Sequence, residues 1–428
     1  MSKNLPINQV VESVSITHKF DRPILKFLNT SDIENGKIIS INHLPINELK
    51  GQAKKTIKKD DILFSEIRPK NRRFAYVDID DTYDFVVSTK LMVLRNINSE
   101  VDNKYFYYFL TNDHMLSILQ DRAENRIGSF PQITFDLLSE YSIRVPELSE
   151  QRKIAHILSS IDSKIELNNR INAELEAMAK TIYDYWFVQF EFPDKNGKPY
   201  KSSGGKMVWN DELKREIPEG WDVKFLSDWI EKDKSGDWGK ESEEGNYSER
   251  VHCIRGADIN GLNGKGEIKS PVRYILPKNS HKILEPFDLI IEISGGSPTQ
   301  STGRLAFLMD ETLSRFDAPV ICSNFCKAVT LKEQKSVFNF VFEWNNAYNN
   351  GILFGFEGKT SGIKNLLFES FVNSYKTPVP PIKLMAHFFN TVISFEIKKQ
   401  KGLKENNELS SLRDWLLPML MNGQVMVN

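Results

Sequence analysis

Cysteine is scarce. The 428 residues include three, Cys253, Cys322 and Cys326, too few for a disulfide framework and in keeping with a reducing compartment. Cys322 and Cys326 lie four apart, but no second ligand pair flanks them, so they read as buried thiols and not as a metal site. Excess charge of either sign is also missing: 56 Lys and Arg stand against 57 Asp and Glu, a net charge of −1. Nothing draws the whole chain to a polyanion, and any nucleic-acid role must rest on local patches. No apolar run approaches the roughly 20 residues of a membrane span. Met1 to Val10 lacks the basic-then-apolar pattern of a signal peptide. The expectation is a soluble, cytoplasmic protein with no membrane partner.

Catalytic motifs are missing as well. Gly358-Lys359-Thr360 looks like the end of a phosphate-binding loop, but Leu353 stands where the first glycine belongs, so the cradle of backbone N–H groups is not there. Gly261, Gly264 and Gly266 follow no strand–helix context for a dinucleotide and read as a turn. There is no Asn-Pro-Pro-aromatic element of the kind amino-methyltransferases use to hold a base amine. Pro378-Val-Pro-Pro381 is proline punctuation. The seven histidines form no His-Glu-x-x-His, and no Gly-x-Ser-x-Gly occurs. The reading is a binding protein with no catalytic residue, no metal and no cofactor of its own.

A chain of this length predicts two or three domains. Its most ordered stretch is 148–187. Steps of four and three residues from Ile154 give Leu158, Ile161, Ile165, Asn168, Asn172, Leu175, Ala179 and Ile182, a heptad seam apolar at seven of nine positions. Pro146 and Ser149 mark its start, with Glu150, Arg152 and Lys153 on the outer face. Such a helix is about 57 Å long. Residues 1–147 read as a mixed α/β domain, with strands at Asp61-Ile-Leu-Phe, Phe74-Ala-Tyr-Val and Phe85-Val-Val-Ser and an aromatic helix from Tyr105 to Gln120. Residues 188–216 are rich in Gly, Pro and polar residues and read as a connector. A second mixed domain covers 217–382, and a second helix 383–421.

The second half repeats the first. Asp61-Ile-Leu-Phe returns as Asp288-Leu-Ile-Ile, and Arg73-Phe-Ala-Tyr-Val as Arg304-Leu-Ala-Phe-Leu. Phe106 to Leu110 returns as Phe338 to Phe342; Gly128 and Ile133 match Gly358 and Ile363. Tyr141 and Pro146 match Tyr375 and Pro380, and Glu174-Leu175 matches Glu408-Leu409. The offsets drift only from 227 to 234 in unbroken order. The expected fold class is therefore α/β (α+β): two mixed domains alternating with two long helices that pair as an antiparallel coiled coil, with an internal pseudo-twofold repeat. Each apolar stripe needs the other to stay buried. The second stripe keeps Phe388, Val392, Phe395 and Leu409 but is interrupted by Lys399 and Gly402, so the first helix is expected to be the stiffer.

Binding residues are sought in loops. Lys50 to Arg73 holds nine basic residues, Lys50, Lys54, Lys55, Lys58, Lys59, Arg68, Lys70, Arg72 and Arg73, against three acidic ones. A solvated surface explains such a run as well as a site does. The sharper reading places Arg68 to Arg73 at a strand end beside Pro69, where a loop reaches phosphates or guanine edges. The repeat-equivalent loop, Ser294 to Arg304, is polar instead, with Thr299, Gln300 and Arg304 as candidates. Gly128 to Gln132 and Gly358 to Gly362 form a second loop pair, which adds Gln132, Lys359 and Lys364.

Pro146-Glu-Leu-Ser-Glu-Gln-Arg-Lys-Ile-Ala, Asn168-Asn169, Trp186-Phe187 before Phe192-Pro-Asp-Lys-Asn-Gly, Ile217-Pro-Glu-Gly-Trp221 and Leu412-Arg-Asp-Trp-Leu-Leu-Pro-Met-Leu resemble the specificity subunits of type I restriction–modification systems. The resemblance covers the whole chain. It implies two target-recognition domains alternating with two conserved helices, and binding of double-stranded DNA at two half-sites separated by a non-specific gap. It implies that the helices set the gap and dock two modification subunits, with Glu150, Gln151, Ile154, Leu158, Ile161, Ile165, Leu175, Ile182, Leu409 and Leu416 in docking or helix pairing. It further implies that S-adenosylmethionine, ATP and Mg belong to the modification and restriction subunits. One departure stands out: Leu384-Met385 occupies the positions equivalent to Glu150-Gln151. Two other classes compete, the recognition part of a fused methyltransferase or nuclease, and a coiled-coil scaffold that binds no DNA.

Overall fold

The computed structural model describes residues 2–19, 22–49, 51, 53–125, 131–297, 299–360 and 363–425, with backbone only at 359 and 360. No helix among them is long and apolar enough to cross a membrane. Two units emerge, Met1–Ile165 with Glu408–Asn428, and Glu166–Asn407.

The first unit is built on Ile62–Ser65, whose four residues are all buried, as expected of a strand covered on both faces. It lies in an antiparallel sheet ordered Val11–Val14, Leu91–Asn96, Ile62–Ser65, Phe74–Tyr76. A second sheet is ordered Asn42–Pro45, Ile24–Leu28, Phe85–Ser88, Ala53–Thr56, and its middle pair is parallel. Lys3–Pro6 pairs with Ser142–Val145 and closes the domain just before the long helix. The aromatic stretch expected as one helix is two, Asn103–Thr111 and Asp113–Glu124. Asn112 divides them because its Oδ1 accepts the Met115 N–H at 2.8 Å, an N-cap that starts a new helix instead of continuing the old one.

The second unit repeats this topology. Ile230–Ser235, Cys326–Leu331, Leu289–Glu292 and Leu305–Phe307 form an antiparallel sheet in the corresponding order. Val272–Ile275, Glu249–Ile254 and Val320–Cys322 form the second sheet, with its parallel pair again between equivalent strands. Asp222–Phe225 pairs with Lys376–Val379. Two things differ. Among the described residues no strand answers to Ala53–Thr56, and the second unit adds a small sheet ordered Ser294–Gly295, Ile363–Leu366, Glu357–Thr360. The Gly- and Pro-rich connector is ordered by packing: Phe192 stacks on Tyr200 and Trp221 with centroids 4.6 and 5.4 Å apart. Gly197 and Gly204 take the left-handed conformations its turns need.

Both long helices form, Leu148–Tyr183 and Ile382–Met421. They run antiparallel side by side. Within the first unit Arg413 Nη1 meets Asp162 Oδ1 at 2.9 Å, and Tyr108 OH donates to the other oxygen of Asp162 at 2.7 Å. Within the second, Asn168 Nδ2 donates to Asn406 Oδ1, and Asn406 Nδ2 to Asn169 Oδ1, both at 2.9 Å; Lys399 Nζ lies 3.3 Å from Glu176. Advancing along one helix thus means retreating along the other. Ile154 and Leu158 join the first unit's core with Leu417 and Leu420, Leu416 packs against it, and Ile161 is buried. Ala179, Tyr183, Phe388 and Val392 join the second unit's core, with Ile182 against it. Ile165, Leu175 and Leu409 are half-buried. The residues that interrupt the second stripe face the polar part of the first. Lys399 is buried between Glu176 and Glu396, and a Cβ at Gly402 would come 3.1 Å from Asn172 Oδ1.

Candidate nucleic-acid interface

In the first unit, residues 66–73 join Ile62–Ser65 to Phe74–Tyr76, and the Ser65 N–H donates to Arg73 O at 2.8 Å to close the loop. Arg68 (φ 47°) and Arg72 (φ 53°) are both left-handed and bracket a tight turn, Pro69–Asn71. That conformation is unusual for residues bearing a Cβ, and it persists because the backbone is held elsewhere. Arg68 N–H donates to Pro131 O at 3.1 Å and Lys70 N–H to Gln120 Oε1 at 3.2 Å. The Ile133 N–H donates to Glu66 O at 2.7 Å, and Gln132 Nε2 to Glu66 Oε2 at 2.7 Å. The loop is therefore stapled to residues 131–133.

The basic residues of this region divide into two kinds. Arg68, Lys70 and Lys54 are exposed. Lys55 is not: it is 8% exposed, and its Nζ donates to Thr89 O at 3.1 Å and Leu91 O at 2.8 Å, with burial lowering its pKa. Arg72 is paired with Asp113, and Arg73 Nη1 donates to Ile33 O at 3.1 Å. Lys55, Arg72 and Arg73, candidates by sequence, thus have their charge committed within the fold. Lys50 and Gly128 to Phe130 lie outside the described residues.

The second unit reproduces the staple. The Leu366 N–H donates to Ile293 O at 2.8 Å, the equivalent of Ile133 and Glu66, and Ser294 pairs with Asn365 as Ile67 bridges Gln132. A carboxylate strengthens it. Glu357 Oε1 accepts the Thr302 N–H at 2.7 Å, and Glu357 Oε2 lies 3.0 Å from Lys364 Nζ. That ammonium also approaches Gln300 O at 3.5 Å and the Phe354 ring at 4.8 Å from its centroid. Gln300, Thr302, Glu357 and Lys364 are thereby brought together.

Thr299 and Gln300 are exposed. Arg304 is not presented: Nε and Nη2 bind both oxygens of Glu292 at 2.9 and 2.7 Å, and that carboxylate is itself buried. A bidentate pair of this kind is structural, so Arg304 is corrected from binding residue to fold residue. Gly358 to Thr360 belong to a strand, which removes the phosphate-loop reading; the Lys359 side chain and Gly362 lie outside the described residues. Sequence reasoning missed Asn365 and Glu357. The repeat offsets did not show this, since matching Ile133 to Ile363 sets Gln132 opposite Gly362; the backbone pairing shifts that match by three and makes Leu366 the counterpart of Ile133 and Asn365 that of Gln132.

On the helices, Gln151 is fully buried and satisfied. Its Oε1 accepts the Asp102 N–H at 2.9 Å, and its Nε2 donates to Glu100 O and Pro146 O at 2.8 Å each. It clamps the helix start to the domain before it and offers nothing to a partner, a correction to its expected docking role. Glu150 is half-buried, 3.7 Å from Arg144. Met385, the counterpart of Gln151, is buried and makes the second junction apolar. All three cysteines are buried and free, and burial pushes Cys253 and Cys322 up to about 12; unreactive thiols follow from that.

Comparison with known proteins adds the following. A family model described as the type I restriction modification DNA specificity domain matches residues 12–177. The type I restriction enzyme HindI specificity subunit of Haemophilus influenzae is 41% identical over 182 residues, 42% of this chain and 39% of that relative, so the matched stretch spans well under half of its length. The type I restriction enzyme MjaIX specificity subunit of Methanocaldococcus jannaschii is 26% identical over 76% of this chain and 70% of its own. A crystal structure of the type I restriction–modification S subunit from M. genitalium shares the fold over 98% of this chain and 96% of its own, with a TM-score of 0.55 at 16% identity.

Proposed function

We propose that the chain is a specificity subunit of a type I restriction–modification system and that it reads a bipartite double-stranded DNA target, one half-site per unit. It supplies the address and no catalysis. Two modification subunits, adenine-N6 methyltransferases, dock on the paired helices. They use S-adenosylmethionine, and restriction subunits that join the complex use ATP and Mg. The five-part division at 1–147, 148–187, 188–216, 217–382 and 383–421 assigns the two mixed segments to recognition and the helices to spacing and docking. A continuous helix of 36 residues, about 54 Å, is long enough to span half-sites one DNA turn, about 34 Å, apart.

One observation carries this reading. Equivalent strands in the two units lead into equivalent loops, each stapled to a second loop by the same backbone hydrogen bond, while the exposed side chains differ, Arg68 and Lys70 in one and Thr299 and Gln300 in the other. A scaffold that repeats while its loop chemistry changes suits a protein that reads two different sequences. Phosphate contacts position such a protein, and base-edge contacts give it specificity.

The test is co-expression with the cognate modification subunit, followed by mapping of methylated adenines along the genome. The expected outcome is a split motif. Replacing 1–147 with another recognition domain should change one half-site and leave the other. Loss of both half-sites on that exchange, or methylation without any split motif, would sink the proposal, as would methyl transfer by the isolated chain.

A further inference from the structure

In each unit one short turn carries the chain from the second sheet back to the first. It lies between Phe85–Ser88 and Leu91–Asn96 in the first unit, and between Val320–Cys322 and Cys326–Leu331 in the second. The two turns are built from the same atoms. A fully buried serine, Ser88 or Ser323, accepts with its hydroxyl the N–H two residues on, from Lys90 at 3.3 Å and from Phe325 at 3.4 Å. The carbonyl of that second residue accepts from the start of the candidate loop. Glu66 N–H reaches Lys90 O at 3.1 Å, and Ile293 N–H reaches Phe325 O at 2.9 Å, which Ser294 N–H shares at 3.1 Å. Each turn is also backed by a neighbour. Lys55 Nζ donates to Thr89 O at 3.1 Å, and Gly236 runs so close that a Cβ there would come 1.9 Å from Ser323 O. Lys90 and Phe325 are therefore equivalent positions, fixed at the backbone and bonded to the root of each loop.

Their side chains are not equivalent. Lys90 is exposed, and among the described residues its ammonium has no ion-pair partner. Phe325 is 52% exposed. A lone exposed lysine or apolar residue is ordinary on any surface. These two differ from that case in standing on a held backbone, beside loops whose other exposed side chains also change between the units. A backbone ordered in advance lowers the cost of making a contact. A free ammonium suits a phosphate. A phenyl ring has nothing to offer a phosphate, and in a DNA groove it meets base edges or a base step.

Resting on the DNA-reading function above, we propose that this turn is a further DNA contact in each unit, with Lys90 on a phosphate of the first half-site and Phe325 against the bases of the second. The same scaffold position then grips by charge in one unit and by apolar contact in the other, as the neighbouring loops pair Arg68 and Lys70 with Thr299 and Gln300.

The test uses the full chain assembled with its modification subunits and a duplex carrying the mapped target. Lys90→Ala should weaken binding and flatten the plot of log affinity against log salt by about one. Phe325→Ala should weaken specific binding on the order of 10-fold and leave that slope unchanged. Phe325→Lys should steepen it by about one. Footprints on the wild type need no variant to fold. Acetylation of Lys90 and hydroxyl-radical oxidation of the Phe325 ring, both read by mass spectrometry, should fall when the target duplex is added. A complex that binds its split target specifically while either residue stays as reactive as before overturns the assignment and leaves the proposed function standing. So do variants with wild-type urea transitions that also keep wild-type affinity and slope. A complex with no sequence-specific binding would overturn both.

Discussion

The two loops that follow the core strands are held alike and equipped differently. In the first unit the loop bends through left-handed Arg68 and Arg72; in the second it bends through Gly295, Gly296 and Gly303. Before each loop stands a buried aspartate with one shared task. Asp61 accepts the Lys58 N–H at 2.7 Å and Asp288 the Glu285 N–H at 2.9 Å, each three residues upstream. The counter-charge then comes from different strands: Arg95 binds both oxygens of Asp61, whereas Lys234 and Thr330 share Asp288. Backbone turn chemistry is what the halves have in common, and side-chain chemistry is where they diverge. The constant part holds the loops in place, which leaves the variable part free to set specificity.

Removing the constant part should have the largest effect. Asp61→Ala strips the partner from Arg95 and the acceptor from the Lys58 N–H, and Asp288→Ala does the same to Lys234 and Thr330. Losing one side of a buried ion pair costs about 3–5 kcal/mol, read as an earlier urea transition. Each variant should degrade recognition of one half-site, a different one in each case. A loss under about 1 kcal/mol in one variant alone would break the equivalence drawn here.

Changing the variable part should act on affinity instead. Arg68→Ala with Lys70→Ala should weaken DNA binding on the order of 10-fold and lower the salt dependence by about one per lost phosphate contact. Gln300→Ala should weaken binding without altering the salt slope. Lys55→Met sharpens the contrast further: its ammonium serves Thr89 O and Leu91 O, so stability should fall by about 1–3 kcal/mol while the slope stays where it was. A changed slope in Lys55→Met would return that residue to the interface.

What could be read from the sequence was what depends on near neighbours. The seam from Ile154 to Ile182 needs only a 3.5-residue period, and its buried members, Ile154, Leu158, Ile161, Asn168, Asn172 and Ala179, follow it. The repeat needs only order and offset, and the equivalent strands pair in the corresponding order. Partnerships across long separations could not be read. Arg304 and Lys55 look like any basic loop or strand residue until Glu292 and the Leu91 carbonyl are placed beside them, and Gln151 looks like a surface residue until the backbone at 100–102 closes over it. Basic residues therefore read as free where the fold engages them.

The smallest effect concerns a carboxyl with no counterpart in the first unit. Tyr183, on the central helix, donates its hydroxyl to Glu343 Oε1, at the edge of a cavity of about 520 Å³ that Arg215 and Tyr375 also line. Burial raises the Glu343 pKa, opposed by the Tyr183 hydrogen bond and by the Arg215 charge, and the net direction is upward. The folded state therefore holds this proton more tightly than the unfolded state. Its stabilising contribution is complete below the unfolded pKa and is lost as pH rises through the folded one. Glu343→Gln keeps an acceptor for Tyr183 and removes the titration. The variant should gain on the wild type as pH rises from the ordinary carboxyl range toward neutral, with no change in either half-site. A variant that instead loses stability at neutral pH would mean that Arg215 holds the ionised carboxylate, and the sign assigned to Glu343 would be reversed.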